Sequence, residues 1–234
     1  MTALKKSRID MKFGKKLFVF TCFFSSVLST AWANSFERFF TAAMRNDEST
    51  VIELTLRGFD LNTRNEKGET GLTLAIHQGA TKVANFLLDQ NVVDVNSKNG
   101  AGETPLMLAA IKGEVALARR LIVDRKAQVN HPGWTPLHYA ASSKEPASLE
   151  VARLLLEHHA YIDAESPNKT TPLMMAAQYG QFEVLELLLE EGADASLRNH
   201  QGLNAIDFAR RAGREAAARR IAEAVRAAQP TGRW

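Results

Sequence analysis

Beyond residue 35 the apolar residues fall into short clusters at helical spacing, separated by glycine and asparagine at a near-constant interval. The clearest cluster reads Thr135-Pro136-Leu137-His138-Tyr139-Ala140-Ala141, and it recurs. Related stretches begin at Thr70, Thr104, Thr171 and, in degraded form, Asn204, so successive starts lie 34, 31, 36 and 33 residues apart. Residues 99–130 show what one period encodes. Asn99-Gly100-Ala101-Gly102 is turn chemistry, since glycine tolerates positive φ. Thr104-Pro105 then starts a helix: threonine caps its open N–H groups, and proline suits the first helical position, where its missing N–H costs nothing. Leu106, Ala109 and Ala110 give a narrow helix that permits close packing, and Gly113 ends it. Val115, Ala118, Leu121 and Ile122 predict a second helix, after which Val129-Asn130 leads into the next turn.

The same template fits residues 65–96, 166–196 and 199–227, and a first copy without Thr-Pro starts near Ser35. Six turn-helix-turn-helix units result, over approximately 35–63, 64–97, 98–130, 131–164, 165–197 and 198–228, with residues 229–234 as a tail. One such unit cannot hide its own apolar face, so the units must stack. The end units, which face water, are the ones expected to depart from consensus.

These phased Thr-Pro-Leu starts, glycines and Leu-Leu pairs resemble the ankyrin repeat, over about Ser35 to Ala228. The resemblance implies an all-α solenoid of about six helix-turn-helix units with hairpin fingers at the turns, and first helices lining a concave groove. It implies that His138 bonds the neighbouring turn. It also implies partner contacts at Glu66, Lys67 and Glu69 on one finger, with His77 and Gln78 behind it. The next unit offers Ala101, Glu103, Ile111 and Lys112, the fourth Trp134, Ser142 and Ser143, and the fifth Asn168, Thr170, Gln178 and Tyr179. Trp134, Tyr179 and Lys112 stand out, because aromatic and long basic side chains dominate binding hot spots.

The fourth unit departs most. From Asn62 to Thr70 and from Asn96 to Thr104 the chain runs eight residues, but from Asn130 to Thr135 only five. The link Ser142–Ser148 between its two helices is about three residues longer than its counterparts. A shortened finger predicts a notch with Trp134 at its base, where the indole either touches a partner or plugs the gap between units. Lys126 and His159 fill slots where glycine is preferred, which predicts a strained left-handed backbone.

Composition changes the picture at one end. Lys5, Lys6, Arg8, Lys12, Lys15 and Lys16 precede an apolar run from Leu17 to Leu28 that closes on Ala31-Trp32-Ala33. Basic, apolar and small-residue segments in that order predict a secretory signal over residues 1–33, cleaved between Ala33 and Asn34. An uncleaved membrane anchor is the rival reading, disfavoured by the run's shortness and its serines. With residues 1–33 removed, 23 basic and 25 acidic side chains remain, a net charge of −2, so the basic balance belongs to the signal. Charge then gives no argument for nucleic acid or for a membrane partner. The one cysteine, Cys22, leaves with the signal, so the exported chain forms no disulfide and suits the bacterial periplasm.

No catalytic constellation emerges. His158 and His159 are adjacent, so a helix points them apart, while His77 and His200 fall on a helix and a finger. Gly100-Ala101-Gly102-Glu103-Thr104 lacks the third glycine and the lysine of a nucleotide loop. Neither a cofactor nor a metal is expected. Glu183, Glu186, Glu190 and Glu191 read as a solvated helix face, and the arginines from Arg210 to Arg233 as a polar capping helix, the rival reading being a basic end that touches acidic protein or lipid headgroups. The expected function is an exported, monomeric, non-enzymatic module that binds another protein in the periplasm. Resemblance to signal-bearing bacterial ankyrin proteins adds two narrower versions: support of a periplasmic enzyme such as catalase against peroxide, or neutralisation of a secreted toxin. A membrane-tethered adaptor follows if the signal is retained. An enzyme would need a pocket in the fourth unit, with His131 as the nominee.

Overall fold

The computed structural model describes residues 34–228; the leader and the tail lie outside them. Six helix pairs follow one another. They are α1 (34–45) with α2 (Glu48–Leu56), α3 (Gly71–Gln78) with α4 (Thr81–Asp89), and α5 (Pro105–Ile111) with α6 (Val115–Arg119). Then come α7 (Pro136–Ser142) with α8 (Ser148–Glu157), α9 (Pro172–Gln178) with α10 (Phe182–Glu190), and α11 (Ala205–Arg211) with α12 (Glu215–Ala228). First helices pack on first helices and second on second, in two parallel rows. After Arg119 the chain stays helical through Arg120–Asp124 with wider, i→i+5 bonding, as in Arg125 N–H to Arg120 O.

Each repeated phrase builds its helix start in the same way. The threonine or asparagine before the helix accepts from the backbone N–H three residues on: Thr70 from Thr73, Thr104 from Met107, Thr171 from Met174, Asn204 from Asp207. In four units the side chain at that third position answers back to the cap N–H, through Thr73 Oγ1, Met107 Sδ, His138 Nδ1 or Asp207 Oδ2. Such reciprocal capping satisfies donors that a helix leaves open. The leucine two residues after the cap is buried in four units, as Leu72, Leu106, Leu137 and Leu173. One continuous apolar core runs from Phe39 to Ile221.

A second ladder joins the units through polar side chains. Asn62 donates from Nδ2 to Val92 O at 2.7 Å and accepts at Oδ1 from Asp94 N–H at 2.7 Å. Asn96 accepts from Gln128 N–H, Asn130 bridges His159 O and Tyr161 N–H, and Asp163 accepts from Asp194 N–H. Burial, then the nearby Asp194 charge, raises the Asp163 carboxyl above its usual range. Asn side chains at a 34-residue interval, followed by Asp163 after 33, thus satisfy backbone groups where one unit meets the next.

The fingers are tight turns, and Arg64 opposite Thr70 makes an antiparallel bridge outside any extended strand. Asn65 holds its turn by accepting from Lys67 and Glu69 N–H; Asn99 and Asn199 do the same for theirs. Lys126 and His159 adopt φ of 54° and 63°, the left-handed backbone expected at those slots.

Candidate functional site

The fourth unit has no such turn. With three residues fewer, His131-Pro132-Gly133-Trp134 passes directly into α7. Trp134 occupies the position just before the helix cap, which Glu69, Glu103, Thr170 and Leu203 hold elsewhere. Its ring is 36% exposed and meets the His138 imidazole edge to face, with centroids 5.2 Å apart. Beneath it, His138 is fully buried. Its Nε2 donates to Thr170 O at 2.9 Å, while Nδ1 faces Thr135 Oγ1 at 2.9 Å and accepts from Thr135 N–H. Burial lowers the imidazole pKa to about 4, so the ring is neutral and stitches the fourth unit to the fifth. The role implied by resemblance is the one it plays.

Trp134 separates two depressions on the first-helix side. The smaller, about 230 Å³, is lined by Ile111, His138, Tyr139, Ser142 and Met175 as well as the indole. The larger, about 310 Å³, lies among Trp134, Met175, Gln178, Tyr179, Phe208 and Arg211 with the adjoining turn residues. One register position, the fifth residue of each repeated phrase, contributes to both walls. In the second and third units this residue is Leu74 or Leu108, both buried; afterwards it is Tyr139, Met175 or Phe208, each half-buried. Tyr139 reaches back to Glu103, donating to Oε1 at 3.3 Å, and burial together with that carboxylate pushes its hydroxyl up to about 12.

The sequence-derived contact residues do not form one surface. Trp134, Gln178 and Tyr179 meet around the larger depression, with Asn168 and Thr170. Glu66 and Lys67 are exposed on the second unit's finger, Gln78 is exposed at the end of α3, and Lys112 is half-buried at the end of α5. Glu69 is not an open contact: it is 8% exposed, accepts from Asn65 Nδ2 at 2.8 Å, and lies 3.6 Å from His77 Nδ1. Glu103 is half-buried between Asn99 Nδ2 and Tyr139. Ser143 must be corrected from a partner contact to a strut. It is 1% exposed, and its hydroxyl donates to Ile111 O at 2.7 Å while accepting from Glu145 N–H. The inserted link it starts is clasped by Gln181, whose Nε2 donates to Lys144 O and Glu145 O.

Met175 and Phe208 were missed by sequence reasoning, although the fifth-residue register would have found them, and Arg211 was read only as part of a basic C-terminal end. His131 makes a 3.2 Å contact through Nδ1 with Pro132 O, and its buried Nε2 has no hydrogen-bond partner among the described residues. Among the described residues no group of three His, Cys, Asp or Glu side chains could hold a metal ion. No described helix is long and apolar enough to cross a membrane.

Stacked helix pairs with a ruled inner surface define a repeat-built binding scaffold. Family profiles described as "Ankyrin repeats (3 copies)" match residues 39–131 and 91–166, and "Ankyrin repeats (many copies)" matches 155–209. The chain belongs to the ankyrin repeat family. Among curated proteins it is 40% identical over 81 residues to mouse "Ankyrin repeat and SAM domain-containing protein 6", a stretch covering 34% of this chain and 9% of that protein. It is 39% identical over 87 residues to human "Ankyrin repeat and KH domain-containing protein 1", covering 35% and 3%. The match therefore spans under a tenth of either relative. A chain from the structure titled "Bd0816 Predatory Endopeptidase from Bdellovibrio bacteriovorus in complex with immunity protein Bd3460" superposes with a TM-score of 0.68 and 28% identity. That match covers 80% of this chain and 97% of the other.

Proposed function

We propose that this protein is an exported, non-enzymatic binding module that grips one protein in the bacterial periplasm and holds that partner's activity in check. The observation that carries the reading is the near-complete coverage of a chain from the endopeptidase–immunity complex, at 97% of its length. A stack of ankyrin units is a scaffold for holding a partner, so the likeness is taken on the immunity side. The basic, apolar and small-residue leader supports export, and release after Ala33 leaves no tether. Docking is favoured by pre-organisation: helix starts, turns and inter-unit ladders are closed by internal hydrogen bonds, so little ordering entropy opposes binding. The surface around Trp134 is the contact, because it joins half-exposed aromatics with a concave shape.

Affinity purification from periplasmic extract, mass spectrometry and titration of the captured protein's own activity test this reading. A stoichiometric partner inhibited by the wild type and released by Trp134→Ala is the expected result. A partner that keeps full activity when saturated removes the inhibitory role, and recovery of the protein only in the cytoplasm removes the export.

A further inference from the structure

We infer that the larger depression beside Trp134 is an anchor site for an acidic loop of the protein partner, in which a glutamate or aspartate meets Arg211 and a neighbouring apolar side chain packs between Trp134 and Met175. This rests on the protein-binding reading above and names the chemistry of the occupant. The cavity, about 310 Å³, lies at the small end of ligand-sized sites and suits two or three side chains of an inserted loop.

Its charged lining is one-sided, with Arg211 the sole ionised group among the residues around it. No aspartate or glutamate borders it, although acidic residues outnumber basic ones from Asn34 onward. Arg211, exposed at the end of α11, makes no ion pair among the described residues, whereas Arg198, Arg120 and Arg220 all find carboxylates. Asn168 Oδ1 already accepts from Ser166 Oγ and Thr170 N–H, so its NH₂ group is what it has left to offer. The side-chain amide of Gln178 has no partner within the described residues and adds further donor capacity. Donors gathered around an unpaired guanidinium fit a carboxylate, which arginine can bind with two parallel hydrogen bonds. The smaller depression is electrostatically different, since Tyr139 there brings in Glu103. An acid arriving at the notch is therefore directed to the Arg211 side. Trp134 and Tyr179, 36% and 46% exposed, supply the rigid amphipathic surfaces around which protein loops anchor.

A random-peptide library displayed on phage and selected against the full chain supplies the probe. Enriched peptides should place Asp or Glu beside an apolar residue. Their affinity should fall at least about tenfold with Arg211→Glu, less with Arg211→Gln, and recover on the Arg211→Glu chain when the peptide acid becomes lysine. Because Arg211 is exposed, unchanged circular dichroism and melting temperature accompany that result. Peptides that bind yet ignore both Arg211→Glu and Trp134→Ala overturn the acidic anchor while leaving the binding reading intact. A chain that selects no peptide and captures no periplasmic protein overturns both.

Discussion

Two kinds of joint hold this stack together. Between the second and third units, and again between the fifth and sixth, neighbouring turns are joined backbone to backbone: Gly100 N–H donates to Lys67 O, and His200 N–H to Asn168 O, each at 3.0 Å. Around the fourth unit no such bond spans adjacent turns among the described residues. That unit is held instead by side chains: His138 to Thr170 O, Ser143 to Ile111 O, and Gln181 to the inserted link. The first of these backbone joints still depends on glycine, because a Cβ on Gly100 would stand 2.5 Å from Lys67 O. Side-chain joints are vulnerable to single substitutions, and two depressions flank this one at Trp134. The contrast teaches that the unit furthest from consensus is joined to its neighbours by individual side chains where the others use main-chain bonds.

His138→Ala should break the comparison most severely. It orphans the buried Thr135 N–H, leaves the Thr170 carbonyl with only Ser166 N–H, and empties a packed site, at a cost of about 3 kcal/mol in urea denaturation. The same imidazole sets a pH window. Its folded pKa of about 4 lies below the ordinary 6.5, so the unfolded chain takes up the proton first as pH falls. Stability is full above pH 6.5 and drops by up to about 3 kcal/mol as pH falls toward 4, levelling off below. Melting curves of His138→Ala should lack that slope.

Gly180→Ala tests the joint from the fifth unit. A Cβ there would stand 2.0 Å from Ala141 O, so the backbones must part, costing about 2 kcal/mol in thermal or urea unfolding. Trp134→Ala sharpens the contrast by separating stability from binding. With its ring on His138 but 36% exposed, loss of about 1 kcal/mol is expected in the melt, against at least about tenfold weaker partner binding by calorimetry. A larger loss of stability with binding intact would make the indole a plug. His159→Gly should act in the opposite direction, gaining about 1 kcal/mol by relieving a left-handed histidine whose carbonyl bond to Asn130 is kept. Gln181→Ala, removing two exposed bonds to the inserted link, should cost only about 0.5 kcal/mol.

The sequence determined the number of helix pairs, their caps and the place where the pattern breaks. Those features depend on local chemistry: a Thr or Asn cap with its reciprocal third residue, an Asn-held turn, an apolar face recurring near 33 residues. The shortened turn at Asn130–Thr135 was visible as a count of residues, and so was the bulk of Trp134 at its end. Whether a side chain is surface or strut was decided only by the tertiary structure. Ser142 and Ser143 look alike in sequence, yet Ser143 is sealed against Ile111 from the preceding unit. Glu66 and Glu69 share a finger, but Glu69 folds back on Asn65. Arg211 shares a depression with Trp134, 77 positions earlier in the chain, only because the units stack. Burial and partnership between units arise from contacts over 30 residues or more, and no local pattern encodes which side of a stacked helix its neighbour will cover.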